Sequence, residues 1–241
     1  MTDKRITLVT GASRGIGYAA AKALAAAGHH VVAVARTQGG LEALDDEITA
    51  AGGSVTLVPM DLREFDQIDR LAGALAERYG RLDSMLVNAA VLGAITPVNH
   101  TSVKDWEQVV DINITAPFRM IRALDPLMRA SPSGRAVFVT SSVARAPRAY
   151  WGAYAASKSA LETLALCWAD EIDNVSDITV SLLNPGGTRT QMRAKAMPGE
   201  DASVLPAPAD IAPLLVDMLG EAWSGGQGQL VHYRDWAAAR A

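Results

Sequence analysis

"TGASRGIG", Thr10 to Gly17, follows the β-branched run "RITLVT" (5–10) and opens an Ala-rich segment. Its glycines, Gly11, Gly15 and Gly17, allow a tight turn, close approach of backbone to a bound phosphate, and close packing of the next helix. A helix that starts here presents free N–H groups and the positive end of its dipole to a pyrophosphate. A glycine triplet alone is weak evidence. Placed between a first strand and a first helix, it reads as a dinucleotide cradle.

Outward from this turn, short β-branched runs alternate with longer Ala/Leu-rich segments. Strands are predicted at 5–10, 30–35, 54–59, 82–88, 135–141, 178–184 and 228–233, and helices near 16–28, 40–51, 64–79, 102–130, 153–173 and 208–220. Strand then helix, repeated, predicts an α/β fold: a Rossmann-type doubly wound parallel sheet of about seven strands with helices on both faces. Nothing resembles a linker, so a single nucleotide-binding domain over 1–241 is expected. The one irregular insertion, "TQMRAKAMPGEDASVLPAPAD" (190–210), is polar and closed by prolines, and is expected to form a substrate lid.

Composition narrows the function. The chain has 241 residues, 49% of them apolar, and a net charge of −4, which excludes a disordered protein. No dense Lys/Arg cluster suggests nucleic-acid binding. Cys167 is the single cysteine, and His29, His30, His100 and His232 lack ligand spacing, so neither a disulfide nor a metal site is expected. With no apolar run near ~20 residues and no signal-like N-terminus, a soluble cytoplasmic protein without membrane contact is expected.

A second motif lies in "WGAYAASKSA" (151–160), where Tyr154 and Lys158 stand four residues apart on one helix face. Together, the glycine turn and this "YxxSK" pattern resemble the short-chain dehydrogenase/reductase family in its compact single-domain form, from Arg5 to Tyr233. Further markers follow in order: "MDL" (60–62), "VNAA" (87–90), "DINITAPF" (111–118), "VTSSV" (139–143) and "NPGGTRT" (184–190). "WGAYAASK" and "NPGGTRTQMRA" look most like a bacterial subgroup of that family. Val87-Asn88-Ala89-Ala90 keeps the family's central Asn but loses a flanking Asn and the Gly, and the tail "YRDWAAARA" replaces its usual ending.

The resemblance implies an oxidoreductase that transfers a hydride between a nicotinamide cofactor and a carbonyl/alcohol substrate. Tyr154 is then the general acid/base, supported by Lys158, Asn113 and a serine. The family's second serine selects Ser142, and the flanking "VFVTSSV" matches without a gap. Its spacing to Tyr154 is one residue short of the family's usual value, which Ser141 would satisfy. Asn113 is expected to bend the 102–130 helix and hold a proton-relaying water. Chemistry supports the Tyr–Lys pair: a cation ~4 Å away at an effective dielectric near 20 contributes ~4 kcal/mol. That is enough to bring a phenol from ~10 down toward neutrality.

By the same resemblance the cofactor contacts Gly11, Ser13, Arg14, Gly15, Ile16 and Gly17 at the turn. Asp61 and Leu62 face the adenine, with Asn88 and Ala89 beside them. Tyr154 and Lys158 reach the ribose, and Pro185, Gly186, Thr188 and Thr190 the nicotinamide end. At the end of the second predicted strand, where an NAD site places an acid ~20 residues after the glycines, Ala35 is followed by Arg36. Arg36 and Arg14 can clamp a 2′-phosphate, so NADP(H) is expected.

From Tyr154 to Trp168 the predicted helix is apolar or small nearly all round, which implies a second partner, and a homodimer or tetramer is expected. Two other readings compete. A non-catalytic dinucleotide sensor would keep the glycine turn but has no reason to keep Asn113, Ser142, Tyr154 and Lys158. A nucleotide-sugar epimerase or dehydratase needs more chain after Thr190.

Overall fold

The computed structural model describes residues 4–240. Seven strands form one parallel sheet: β1 (Ile6–Thr10), β2 (His30–Ala35), β3 (Ser54–Pro59), β4 (Ser84–Val87), β5 (Arg135–Val139), β6 (Thr179–Asn184) and β7 (Gln229–His232). Their spatial order is β3-β2-β1-β4-β5-β6-β7. The order reverses between β1 and β4, and the crevice outside the carboxyl ends of the strands at that point is where such sheets bind ligands.

Both faces of the sheet are covered because neighbouring strand residues point to opposite sides. Leu8, Met85 and Phe138 pack on one side with Ile68, Met120 and Trp168. Val9, Leu86 and Val137 pack on the other with Leu24, Leu44 and Leu215. The helices supplying the first side are α3 (Phe65–Tyr79), α5 (Ala116–Arg129) and α6 (Gly152–Ile172), with α4 (Val103–Val110) packed against α6. Those of the second are α1 (Gly15–Ala26), α2 (Gln38–Ala50) and α8 (Pro208–Leu219), with α9 (Tyr233–Ala238) as a short addition, while α7 (Gln191–Ala196) packs Met192 against Tyr154 and Val143 instead.

One expectation needs correction. The predicted 102–130 helix is not one α-helix: Asp111–Thr115 forms a π-helical turn between α4 and α5. The 190–210 insertion is largely folded. Thr190 caps α7 by accepting from Arg193 N, and the Arg193 guanidinium grips the Glu200 carboxylate at 2.5 and 2.6 Å. The tail after β7 forms α9. An apolar window, Ala202–Leu219, has mean hydropathy 1.4, but only Pro208–Leu219 of it is α-helix. At 1.5 Å per residue those 12 residues fall short of the ~30 Å bilayer core. Ile211, Leu214, Leu215 and Met218 are buried against the sheet.

Candidate active site

A cleft of about 730 Å³ opens at the carboxyl edge of the sheet. Its floor is the glycine turn. Gly11 adopts φ +69°, and a Cβ there would lie 2.9 Å from Asn88 Nδ2 and 3.1 Å from Ala89 Cα. A Cβ on Gly17 would collide with Gly11 O, so α1 starts this close to β1 only with glycine present. No side chain caps α1, whose N-cap is Arg14. The chain thereby leaves a bare helix start at the cleft, with Ser13, Gly15 and Ile16 also lining it.

Asn88 braces the switch point. Its Nδ2 donates to Thr10 O at 2.9 Å, while the N–H groups of Asn88 and Ala89 donate to Thr10 Oγ1 at 3.0 and 3.1 Å. Across the cleft, Asp61 and Leu62 line the wall after β3, and Arg36 after β2. The Asp61 carboxylate is engaged by Arg63 at 2.8 Å and lies 4.0 Å from Arg36 Nη1. The Arg63 hydrogen bond holds the Asp61 carboxyl below its usual range.

Tyr154 and Lys158, one turn apart on α6, are both buried. Lys158 Nζ donates to Val139 O at 2.8 Å and lies 5.8 Å from the Tyr154 ring centroid. The expected drop of the phenol toward neutrality is not what this arrangement produces. Burial pushes the Tyr154 hydroxyl up to about 12, and pushes the Lys158 ammonium down to about 8 against the opposing pull of Glu162. The ammonium faces a backbone carbonyl, so desolvation outweighs its attraction for a phenolate. Tyr154 is therefore held protonated.

Asn113 sits in the π turn with its amide aimed inward. Its Oδ1 accepts from Val91 N, and its Nδ2 donates to Val91 O and to Ser157 Oγ, all at 2.9 Å. Ser157 in turn donates to Tyr154 O at 2.8 Å. The π turn is what lets an inward Asn reach the loop after β4 without ending the helix.

The two serines after β5 are placed differently. Ser141 lines the cleft together with Tyr154 and Lys158, whereas Ser142 begins a 3₁₀ turn, Ser142–Ala144, and is exposed away from it. β5 ends at Val139, so the residue two further on is the one delivered to the carboxyl edge. After β6, Pro185, Gly186, Thr188 and Thr190 line the opposite end. Thr188 Oγ1 donates to Pro185 O at 3.3 Å, and Thr190 is occupied as the α7 cap.

Several site residues escaped the sequence reading. Leu92, Trp151 and Met192 pack around Tyr154 and Val143, and Ile95 joins them at the cleft. Among described non-glycine residues only Tyr150 has positive φ (73°). It turns the chain into α6 while its carbonyl accepts from Thr96 N at 3.1 Å, drawing the 91–96 loop to the cleft mouth. A signal existed for Trp151: it directly precedes the Tyr–Lys helix.

Comparison with known proteins agrees with this geometry. The family model described as short chain dehydrogenase matches residues 5–201. The chain belongs to the short-chain dehydrogenase family. Among relatives, the "uncharacterized oxidoreductase YciK" of Escherichia coli (strain K12) is 39% identical over 92% of this chain and 88% of that protein. A structure from Shigella flexneri 2a, complexed with NADP, has TM-score 0.91 and 39% identity over 97% of this chain and 98% of that one. Another, from Escherichia coli CFT073 and complexed with NADPH, has TM-score 0.90 and 38% identity over 97% and 98%. As a short-chain dehydrogenase the chain is an oxidoreductase that uses a nicotinamide cofactor and a small-molecule substrate.

Proposed function

We propose that this protein is an NADP(H)-dependent reductase of an apolar carbonyl compound, with Tyr154 as proton donor. The observation that carries the reading is the convergence of Ser141, Tyr154 and Lys158 on one cleft that also contains the glycine turn. The residues suit the cofactor: the turn has no Cβ where a pyrophosphate would lie, and Arg14 and Arg36 offer guanidiniums at the ribose end. When bound, the cofactor supplies the hydride. Everything else belongs to the chain. Ser141 donates a hydrogen bond to the substrate oxygen. Tyr154, held protonated by burial, gives its proton to that oxygen as negative charge develops. Lys158 offers its charge to the ribose and, with Asn113, sustains re-protonation of the phenol. Gly11, Asn88, Asp61, Leu62, Pro185, Gly186, Thr188 and Thr190 shape the walls, and the 190–210 segment with Met192 closes the substrate end.

Leu92, Ile95, Trp151 and Met192 surround the Tyr154 end of the cleft, which favours an apolar substituent on the carbonyl. A homo-oligomer is supported by apolar residues left outside: Trp106 and Phe118 on α4 and α5 are 46% and 47% exposed, and Ala156 and Leu166 on α6 are also exposed. A monomeric mass by light scattering at micromolar concentration would overturn that assembly.

The test of the activity is loss of NADPH absorbance with a panel of ketones, quinones and acyl thioesters. Tyr154→Phe should bind NADPH normally and lose several orders of magnitude in kcat. Retention of more than about a tenth of wild-type turnover would refute the role of Tyr154.

A further inference from the structure

Glu162 is a buried carboxylate that the chemistry above does not use. It lies on α6 one turn beyond Lys158 and two beyond Tyr154, so all three share a helix face. The residue is 6% exposed. Its Oε1 accepts from Thr140 Oγ1 at 2.7 Å and its Oε2 from Arg145 Nε at 2.8 Å. Thr140 stands between Val139, whose carbonyl receives the Lys158 ammonium, and Ser141 at the cleft. Arg145 follows directly after the 3₁₀ turn Ser142–Ala144, and Ser159 Oγ fastens that turn to α6 through Ala144 O at 2.6 Å.

A salt bridge with Arg145, whose side chain is 55% exposed, could be made at the surface without sinking the carboxylate. Burying an anion costs several kcal/mol unless its partners compensate, so its depth asks for a reason. Its partners supply one: Thr140 ties it to the end of β5, and Arg145 to the turn that follows.

We propose that Glu162 is a positioning residue, fixing the β5 end that carries Ser141 and supplying the countercharge that keeps Lys158 an ammonium. This rests on the reading of Tyr154, Lys158 and Ser141 given above. The titratable groups facing Lys158 are Tyr154 and Glu162 on its own helix. β5 contributes the neutral Val139 carbonyl, and Arg145 acts on Glu162 from the turn after β5. Burial pulls the Lys158 ammonium down to about 8, and the Glu162 carboxylate is the charge that opposes it.

Two substitutions separate the two tasks. Glu162→Gln keeps an oxygen for Thr140 but removes the charge. The basic limb of kcat/KM for NADPH oxidation should move to lower pH, and NADPH affinity read by fluorescence should fade with pH in parallel. The pH 9 to pH 7 activity ratio should fall about threefold or more below wild type, because each pH unit past a titration removes about tenfold of the charged form. Thr140→Val keeps the charge and removes the tether; kcat should drop about tenfold with the limb unmoved, since small misplacements of a positioned group are costly. A Glu162→Gln profile that superimposes on wild type overturns the countercharge, and unchanged kcat in Thr140→Val overturns the positioning of Ser141. Should Glu162→Gln fail to fold, Arg145→Gln decides: with the competing cation gone the limb should move to higher pH, and an unmoved limb refutes the claim. Activity surviving in Tyr154→Phe would instead sink the underlying reading, whatever Glu162 does.

Discussion

Asn113 grips the backbone of Val91 at both of its polar groups, accepting from the N–H and donating to the carbonyl at 2.9 Å each. This side chain does for the 91–96 loop what a neighbouring strand would do, and it does so from a π turn inside a long helix. The loop it holds carries Leu92 and Ile95 into the cleft. Stability and site geometry therefore depend on the same amide.

Replacing Asn113 with Ala strands the Val91 N–H and carbonyl in a half-buried place, while Ser157 keeps its bond to Tyr154 O and loses one donor. The loss should be about 3 kcal/mol, from unsatisfied groups that cost ~1–3 kcal/mol each. At ~2–4 °C per kcal/mol for a chain of this size, Tm should fall by about 6–12 °C. Calorimetry measures it, and kcat on any accepted substrate should fall more than tenfold at temperatures where the variant is folded. An unchanged Tm would show that the loop is held by something else.

Ser141 and Ser142 differ in direction, not in chemistry. Removing the hydroxyl that binds a developing oxyanion costs ~10²–10³ in kcat. Ser141→Ala should show a loss of that size, and Ser142→Ala, on the exposed turn, should stay within about twofold of wild type. The reverse ranking would return the role to Ser142.

His29 makes folding sensitive to acid. It is buried, its Nδ1 lies 2.7 Å from Thr7 Oγ1, and desolvation lowers its pKa from 6.5 to about 4. The unfolded chain therefore binds the extra proton first. Between pH 6.5 and 4 stability should rise with pH, and the neutral imidazole's advantage is lost as pH falls toward 4. The swing is on the order of 2–3 kcal/mol. His30, also shifted down by burial, acts in the same sense. Urea midpoints at pH 7 and 4.5 measure the swing, and His29→Gln, which cannot titrate, should shrink it. An equal swing in the variant would place the acid sensitivity elsewhere.

The central strands were legible because each is buried on both faces and reads as a mostly β-branched or apolar run, as in "HVVAVA" (30–35). Gly11 and Gly17 were legible because no other residue fits their contacts. The π turn was not, since "VVDINITAPF" has helical composition and the Asn113–Val91 pairing that accompanies the extra residue is a tertiary contact. α7 was hidden by polarity: its stability comes from the Thr190 cap and the Arg193–Glu200 pair, not from an apolar stripe. Which serine faces the cleft was not legible, because motif matching does not say where β5 ends. The Tyr154 shift was misread because a spacing of four gives a shared face but not the direction of the ammonium, which Val139 O takes.

Cofactor choice turns on charge at the ends of β2 and β3. The carboxylate present there, Asp61, is held by Arg63 at 2.8 Å, which leaves Arg36, 4.0 Å away with a side chain 64% exposed, free to meet a second anion. Arg36 and Arg14 would each give a 2′-phosphate charge-assisted hydrogen bonds worth ~1.5–3 kcal/mol. NADPH should therefore bind at least about tenfold more tightly than NADH, and the difference should narrow as salt screens these exposed charges. Arg36→Asp removes one attraction and sets a second carboxylate beside Asp61. NADPH affinity should fall about a hundredfold, while NADH, whose free 2′-hydroxyl can donate to the new carboxylate, should hold or gain. Fluorescence titration of both cofactors against both proteins measures all four constants. Wild-type affinity for NADH equal to or tighter than for NADPH would overturn the assignment, and an Arg36→Asp variant with unaltered NADPH affinity would remove Arg36 from it.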